Sequence, residues 1–93
     1  YMSATVRIPG PLRKITNGVE KADVEGTDLA ECISELESRF PGIQERMLDE
    51  AGQLRYFVNV YLNGEDVRFL DGIKTPVSSG DELSIVPAVA GGY

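Results

Sequence analysis

The chain has 93 residues and a formal net charge of −6 at pH 7, from 9 Lys+Arg against 15 Asp+Glu. This length suits one domain with one thin core, which leaves little volume for a deep, dry active site. An acidic surface repels phosphate backbones, so the composition argues against nucleic-acid binding. The acidity either attracts a basic protein partner or only keeps a small protein soluble, and the composition leaves both interpretations open.

The chain contains one cysteine, Cys32, and no histidine. One cysteine cannot form an intramolecular disulfide, and the lack of histidine excludes His-dependent triads and the usual zinc sites. No apolar run approaches the ~20 residues needed to span a bilayer, and no signal peptide precedes the first predicted strand. We therefore expect no bound metal or cofactor, no membrane association and a cytoplasmic location.

The first part of the chain predicts two strands. Residues 4–8 alternate, with Ala4, Val6 and Ile8 on one face, which is typical of a half-buried strand. A proline- and glycine-rich break follows, and residues 19–24 give a weaker second strand. The two strands are expected to form an antiparallel hairpin with a long connection.

The central part of the chain predicts the main helix. Asp28 can cap its start, and Glu31 has the spacing of a reciprocal cap. Pro41-Gly42 ends the helix, and residues 43–48 predict one further short turn. The residues that share one apolar stripe of this helix are Leu29, Cys32, Ile33, Leu36 and Phe40.

The second half of the chain predicts three more strands. Residues 57–62 alternate most clearly, and Asn63-Gly64 suits a tight hairpin turn with positive φ. Residues 67–69 are predicted to return as a short strand, and residues 83–86 form the last strand, which Pro87 stops. Strands on both sides of one helix predict an α+β domain, a β-grasp or ubiquitin-like fold. Its mixed sheet would have about four to five strands, with the helix on one face and the first and last strands parallel at the centre.

The last residues differ in character from the rest. Residues 1–87 are predicted to form the β-grasp domain, and residues 88–93 a flexible tail that holds Gly91-Gly92. Glycine pays the largest entropic cost on ordering, so this end is expected to be mobile. A tip without side chains can enter a narrow channel, and no Cβ shields its terminal carbonyl from attack.

Three segments resemble a known family. Residues 87–92, PAVAGG, resemble the terminal motif of the MoaD/ThiS family of sulfur carriers. Residues 57–69, FVNVYLNGEDVRF, and residues 79–86, SGDELSIV, resemble the same family, most closely the CysO-type carriers of actinobacteria. The resemblance extends from Val6 to Gly92. A lone Gly-Gly would be weak support, whereas Gly-Gly after a final strand and a proline is specific.

The resemblance implies a role for the terminal carboxylate of Gly92. In this family an E1-like activating enzyme of the MoeB/ThiF type uses ATP to adenylate that carboxylate, and a sulfur donor converts it to a thiocarboxylate. In CysO-type members a pyridoxal-phosphate synthase presents O-phosphoserine to the sulfur, and a JAMM-type zinc metalloprotease later releases cysteine. The residues that would thread into these partners are Ala90, Gly91 and Gly92.

A partner surface is expected beside the tail. An open β-grasp sheet leaves one face uncovered, and apolar side chains on that face, or next to the tail, favour docking. The competing interpretation is that the aromatic rings only cover sheet edges and strand ends. The predicted docking residues are Val86, Pro87, Val89, Phe57 and Tyr61.

Other reactive residue types have simpler interpretations. The place of Cys32 on the apolar stripe favours a buried, inert thiol over a thioester site. Asp81-Glu82 favours a turn and surface role over an acid/base pair, because adjacent strand residues point apart. Asp49-Glu50 is interpreted as a solvated pair in a loop. Arg55 and Arg68 either pair with acidic groups of a partner or are only solvated.

Tyr93 departs from the family pattern, because any residue after Gly92 leaves Gly92 without a free carboxylate. Tyr1 precedes Met2, which is interpreted as the natural start. A tyrosine at each end favours the interpretation of both as additions made in cloning. The alternative is a natural extension at Tyr93 that a protease removes, as in some members of the family.

Three functions remain open at this point. The first is a sulfur carrier for cysteine, molybdopterin, thiamine or another thiolated metabolite. The second is a ubiquitin-like modifier joined to lysines through Gly92, since an acyl-adenylate reacts with amines as well as with sulfur. The third is a passive ubiquitin-like interaction domain, which would not need Gly91-Gly92. The chain is expected to be a substrate of partner enzymes and not an enzyme itself.

Overall fold

The structure, a computed structural model, describes residues 3–87, and its five strands form one mixed sheet in the order β2-β1-β5-β3-β4. Two helices, α1 (Leu29–Arg39) and α2 (Ile43–Met47), follow β2 in the chain. Short 3₁₀ segments lie at Gly10–Leu12, Val67–Phe69 and Gly72–Lys74. The strands are β1 (Ala4–Arg7), β2 (Lys21–Val24), β3 (Val58–Leu62), β4 (Glu65–Asp66) and β5 (Glu82–Pro87).

Strand β5 occupies the centre of the sheet. It runs parallel to β1, with Val6 opposite Leu83, and antiparallel to β3, with Val60 opposite Ile85. Because β1 and β5 are parallel, the chain must cross over between them, and α1 lies in that crossover. This arrangement confirms the predicted β-grasp fold, including the parallel pairing of the first and last strands.

The core lies between one face of the sheet and α1. Val6, Val60 and Leu83 from the three central strands are almost completely buried, as are Ile33 and Leu36 from the helix. Full burial of such side chains contributes about 1.5–3 kcal/mol each. Cys32 is also fully buried, so the predicted apolar stripe of α1 is confirmed. Phe40, the last member of that stripe, is only partly buried and packs against the core edge.

The start of α1 is capped from both directions. The Asp28 carboxylate accepts a hydrogen bond from the Glu31 backbone N–H at 2.8 Å, as the sequence predicted. The Glu31 carboxylate accepts bonds from the backbone N–H of Thr27 at 2.7 Å and from its hydroxyl at 2.8 Å. These two bonds favour the charged carboxylate and hold the pKa of Glu31 below its ordinary value, the backbone bond contributing more.

The predicted strand at residues 67–69 is wrong. These residues form a 3₁₀ turn, and the strand that pairs with β3 is the two-residue β4 before them. The Asp66 side chain accepts a hydrogen bond from the backbone N–H of Arg68, which turns the chain out of the ladder. The preceding hairpin is as predicted, because Asn63 and Gly64 both have positive φ, 50° and 92°.

Several strand ends differ from the sequence-based bounds by one or two residues. Ile8 and residues 19–20 lie just outside β1 and β2, although the Ile8 N–H still donates to the Glu20 carbonyl at 2.7 Å. Strand β5 includes Glu82 at its start and Pro87 at its end. Proline has no N–H to donate, so it is tolerated at a strand end where the ladder stops.

The close contacts around Gly26 predict that a single added methyl group at this position destabilises the fold. A Cβ at this position would lie 2.9 Å from the Cys32 backbone nitrogen and 3.0 Å from the Glu31 Cβ, both on the rigid first turn of α1. We expect Gly26→Ala to lower the free energy of unfolding by about 1–3 kcal/mol in urea denaturation. At Gly10 no described atom lies within 4 Å of the Cβ position. The matched variant Gly10→Ala should change stability by less than about 0.5 kcal/mol, and equal effects would contradict this packing.

The lowered pKa of Glu31 predicts a pH-dependent stability. The charged carboxylate stabilises the cap above the pKa of an unfolded glutamate, and this contribution is lost as the pH falls through the lower pKa of the folded state. The melting temperature of Glu31→Gln should therefore lie furthest below that of the wild type near neutral pH, and the gap should narrow in acid. The exposed Glu50→Gln is the control. A gap that widens in acid would contradict the assignment.

Candidate functional site

The described part of the chain ends at Pro87, and this chain exit defines the candidate site. Pro87 is opposite Val58 in the β5–β3 ladder, so the two side chains share the face of the sheet that carries the core. The side chain before it, Val86, points to the opposite, open face and is 45% exposed. The predicted site residues that lie outside the described residues are Val89, Ala90, Gly91 and Gly92, together with Tyr93.

The open face of the sheet near the chain exit is mainly polar. Val86 lies opposite Asn59, and Tyr61 lies opposite Ser84 on the same face. Tyr61 is half-buried, so only part of its ring is available to a partner. Of the predicted docking residues, Val86 and Tyr61 therefore share this face as diagonal neighbours, with polar side chains beside them.

Arg68 and Arg55 are held by hydrogen bonds within the domain. The Arg68 guanidinium donates through Nη1 to the Asn59 side-chain oxygen and through Nη2 to the Arg55 carbonyl at 2.6 Å. Arg55 in turn donates through Nε to the Glu45 carbonyl at 3.0 Å. These bonds tie the turn after β4 and the end of α2 to the segment that enters β3. The sequence offered only surface or partner roles for both arginines, because the contacts are non-local.

Phe57 lies one residue before β3 and not on the open-face ladder. It is 37% exposed and packs edge-to-face against Tyr56, with ring centroids 5.3 Å apart, and Tyr56 is 87% exposed. Phe57 also lines a groove of about 410 Å³ next to Pro87, which we call the exit groove. Its apolar lining consists of Pro11, Leu12, Phe57, Val58 and Pro87, and its charged lining of Glu45, Arg46 and Arg55.

The sequence did not point to several members of the exit groove. Pro11 and Leu12 belong to the break after β1, and they approach Pro87 only because a 3₁₀ turn directs them to this end of the sheet. Arg46 lies in the last turn of α2 and is exposed. The apolar Pro11-Leu12 pair in the connection between β1 and β2 is the one signal from which part of the groove was predictable.

A second, larger groove of about 510 Å³ is lined by four carboxylates, but two of them already stabilise turns. The Glu37 carboxylate accepts bonds from the backbone N–H groups of Gly42 and Gln44 at the start of α2. Asp49 accepts from the N–H groups of Ala51 and Gln53 at 2.9 and 3.0 Å. Within residues 3–87, no group of three or more metal-ligating side chains is clustered as a metal site would require.

The Asp81-Glu82 pair also has structural partners. The Asp81 carboxylate accepts from the Ser78 N–H at 2.8 Å and from the Asn63 side-chain amide at 3.0 Å. Glu82 is 3.7 Å from the Arg7 guanidinium, an exposed ion pair between the parallel strands β1 and β5. Both contacts agree with the predicted turn and surface roles. They lie at the end of the sheet opposite to the chain exit.

Cys32 is unsuited to nucleophilic chemistry. Its side chain is fully buried under the sheet. Burial raises the pKa of the thiol to about 11, and the carboxylates of Asp28, Glu31 and Glu35 add to this increase. The thiolate is the reactive form, so a thiol that stays protonated near neutral pH does not attack an adenylate.

Neither helix in the described part of the chain has the length and apolar character that a bilayer-spanning segment needs.

Comparisons with known proteins agree with this architecture. The family model described as "ThiS family" matches residues 6–92. The sulfur carrier protein CysO of Mycobacterium tuberculosis strain H37Rv is 46% identical over 93 residues, covering 98% of this chain and 100% of that protein. A putative sulfur carrier protein of Archaeoglobus fulgidus is 37% identical over 91 residues, covering 98% of this chain and 100% of that protein.

A solved structure extends the agreement to three dimensions. A chain in the crystal structure of the Amycolatopsis orientalis BexX/CysO complex superimposes with a TM-score of 0.91 and 46% sequence identity. The match covers 96% of this chain and 99% of that chain. The family model matches through residue 92, so that match includes Gly91-Gly92 as well as the sheet and helix. The chain therefore belongs to the ThiS family, whose sulfur carriers it resembles over nearly its whole length.

Proposed function

We propose that this protein carries sulfur as a thiocarboxylate on Gly92 and delivers it to a biosynthetic enzyme. The main support for the proposal is the family match, which extends through residue 92. The last strand ends at Pro87, shortly before this residue. Gly92 is the fifth residue after Pro87. A domain that holds its reactive group on a short C-terminal segment is suited to present that group to successive enzymes.

The proposed chemistry activates the carboxylate before sulfur is added. A carboxylate is a poor acyl donor, because its oxygen is a poor leaving group. An E1-like enzyme of the MoeB/ThiF type joins the Gly92 carboxylate to AMP from ATP and releases pyrophosphate. Sulfide provided by a sulfur donor then attacks the Gly92 carbonyl, the bond from that carbonyl to the AMP oxygen breaks, and AMP leaves a thiocarboxylate with one oxygen and one sulfur. The chain contributes recognition and the acyl group, and the activating enzyme supplies the electrostatic stabilisation of the transition state.

The proposed destination of the sulfur is cysteine or another sulfur-containing metabolite. As the resemblance to CysO-type carriers implies, we propose an acceptor held by a pyridoxal-phosphate enzyme and a JAMM-type metalloprotease that releases the product from Gly92. In this scheme the chain is a substrate of its partners and not an enzyme. We place these steps in the cytoplasm, where ATP is available to the activating enzyme.

The proposal requires a free carboxylate at Gly92, so Tyr93 must be absent or removed before activation. A version that ends at Gly92, incubated with ATP, a MoeB/ThiF-type enzyme and a sulfide source, should gain about 16 Da in intact mass as oxygen becomes sulfur. The version that ends at Tyr93 should gain nothing without a protease.

The matched control for this measurement shortens the chain further. Deletion of Gly91 and Gly92 should abolish the mass gain, whereas Gly10→Ala on the chain that ends at Gly92 should retain it. A mass gain in the diglycine deletion would contradict the proposal. Attachment of the chain to lysines of larger proteins, without a thiocarboxylate, would favour the protein-modifier alternative instead.

The buried state of Cys32 predicts that it takes no part in sulfur transfer. Cys32→Ala on the chain that ends at Gly92 should show the same gain of about 16 Da, because sulfur is carried by the terminal carbonyl. In the wild type, iodoacetamide at pH 8 should label Cys32 slowly in the folded state and completely in denaturant, since the thiol is buried and its pKa is about 11. Loss of the mass gain in a folded Cys32→Ala variant would contradict this assignment.

A further inference from the structure

We propose that Asn17 is a spontaneous modification site, at which the folded protein loses ammonia and the asparagine becomes aspartate or isoaspartate. The chain has two Asn-Gly pairs, Asn17-Gly18 and Asn63-Gly64, and both asparagines are exposed. Their backbones are also alike, with φ of 56° and 50°, so neither access of water nor backbone conformation distinguishes them. The hydrogen bonds around them do. The inference concerns the domain and not Gly92, so it is independent of the proposed function.

The reaction needs only the chain and water. The backbone nitrogen of Gly18 attacks Cγ of the Asn17 side chain, a new N–C bond closes an imide ring, and the Cγ–Nδ2 bond breaks. The amide group leaves as ammonia with the proton that the Gly18 nitrogen gives up. Water then adds to either carbonyl of the imide, which yields aspartate or isoaspartate. A following glycine favours the attack, because no Cβ crowds its nitrogen.

The Asn63 side chain is held at both of its polar atoms. Its Oδ1 accepts a hydrogen bond from the Glu82 backbone N–H at 2.9 Å, and its Nδ2 donates to the Asp81 carboxylate at 3.0 Å. A donor on one side and a carboxylate on the other settle which amide atom is the oxygen. The Asn63 N–H also donates to the Glu82 carbonyl at 2.8 Å. Rotation of this side chain onto the Gly64 nitrogen therefore breaks two bonds to the start of β5.

The turn around Asn17 is closed by bonds of its neighbours. The Gly18 N–H donates to the Arg13 carbonyl at 2.8 Å. The Val19 N–H donates to the Thr16 carbonyl at 3.1 Å, and the Thr16 hydroxyl donates to the Val19 carbonyl at 2.9 Å. None of these three bonds uses the Asn17 side chain, which rotates without breaking them. Attack on its Cγ requires the opening of one bond, from Gly18 to Arg13, in an exposed turn.

The strength of these bonds decides which asparagine reacts. A hydrogen bond to a charged group contributes roughly twice as much as a neutral one, so release of Asn63 from Asp81 and Glu82 costs more than release of the Gly18 N–H. Conversion of Asn63 would in addition place a second carboxylate beside that of Asp81. At Asn17 the product only adds a negative charge to an exposed turn that leads into β2.

The test follows both sites in one sample of the whole chain at pH 8. Each conversion adds about 1 Da, and fragmentation of the digested protein assigns it to one asparagine. In the folded protein we expect Asn17 to react about 10-fold faster than Asn63. In denaturant the two rates should agree within about 2-fold, because the contacts that distinguish them are gone. Equal rates in the folded protein, a faster reaction at Asn63, or a 10-fold preference that persists in denaturant would overturn the proposal.

A variant separates local protection from general unfolding. Asp81→Ala removes the acceptor of the Asn63 amide, so the Asn63 rate should rise about 5-fold while the Asn17 rate in the same molecule stays unchanged. The Asn17 rate is the internal control, since unfolding of the domain would raise both, and the melting temperature checks the fold. The matched variant Glu50→Ala removes an exposed carboxylate elsewhere and should change neither rate. An unchanged Asn63 rate in folded Asp81→Ala would contradict the protection.

Discussion

Strand β5 pairs in parallel with β1 and thereby joins segments that lie far apart in the chain. Thr5 lies opposite Glu82 and Arg7 opposite Ser84, so segments from the two ends of the chain share the middle of the sheet. Parallel neighbours need a long crossover, which α1 supplies while its apolar stripe covers the core face. With β3 on its other side, β5 is paired along both edges. The last described residue, Pro87, is therefore a fixed point, and the length of a fully extended chain keeps Gly92 within ~18 Å of it.

The elements that could be predicted from the sequence are those whose signals are local. Alternation in β1, β3 and β5, the apolar stripe of α1 and the Asn63-Gly64 turn each depend on residues close together in the chain, and the structure has all of them. The cap at Asp28 is as predicted, although Glu31 returns its bonds to Thr27. The diglycine could be identified from the sequence because the motif is a contiguous string, and the family match includes it.

The features that escaped prediction depend on contacts between distant residues. Residues 67–69 have the composition of a strand, but the Asp66 side chain turns them into a 3₁₀ segment, and Arg68 then reaches Asn59 and the Arg55 carbonyl. The exit groove brings together the break after β1, the end of α2 and the start of β3, which lie far apart in the chain. Phe57 could be recognised from the sequence as a candidate docking residue, but its position at this groove could be seen only in the folded structure.

Fragmentation mass spectrometry distinguishes sulfur on the carbonyl of Gly92 from sulfur on any other residue. A chain that ends at Gly92 would be loaded enzymatically, digested, and its peptides fragmented to find the residue that holds the new sulfur. We expect a C-terminal peptide in which one carboxyl oxygen of Gly92 is replaced by sulfur, and an unmodified Cys32 peptide. Sulfur found on Cys32, with Gly92 still an ordinary carboxylate, would contradict this expectation.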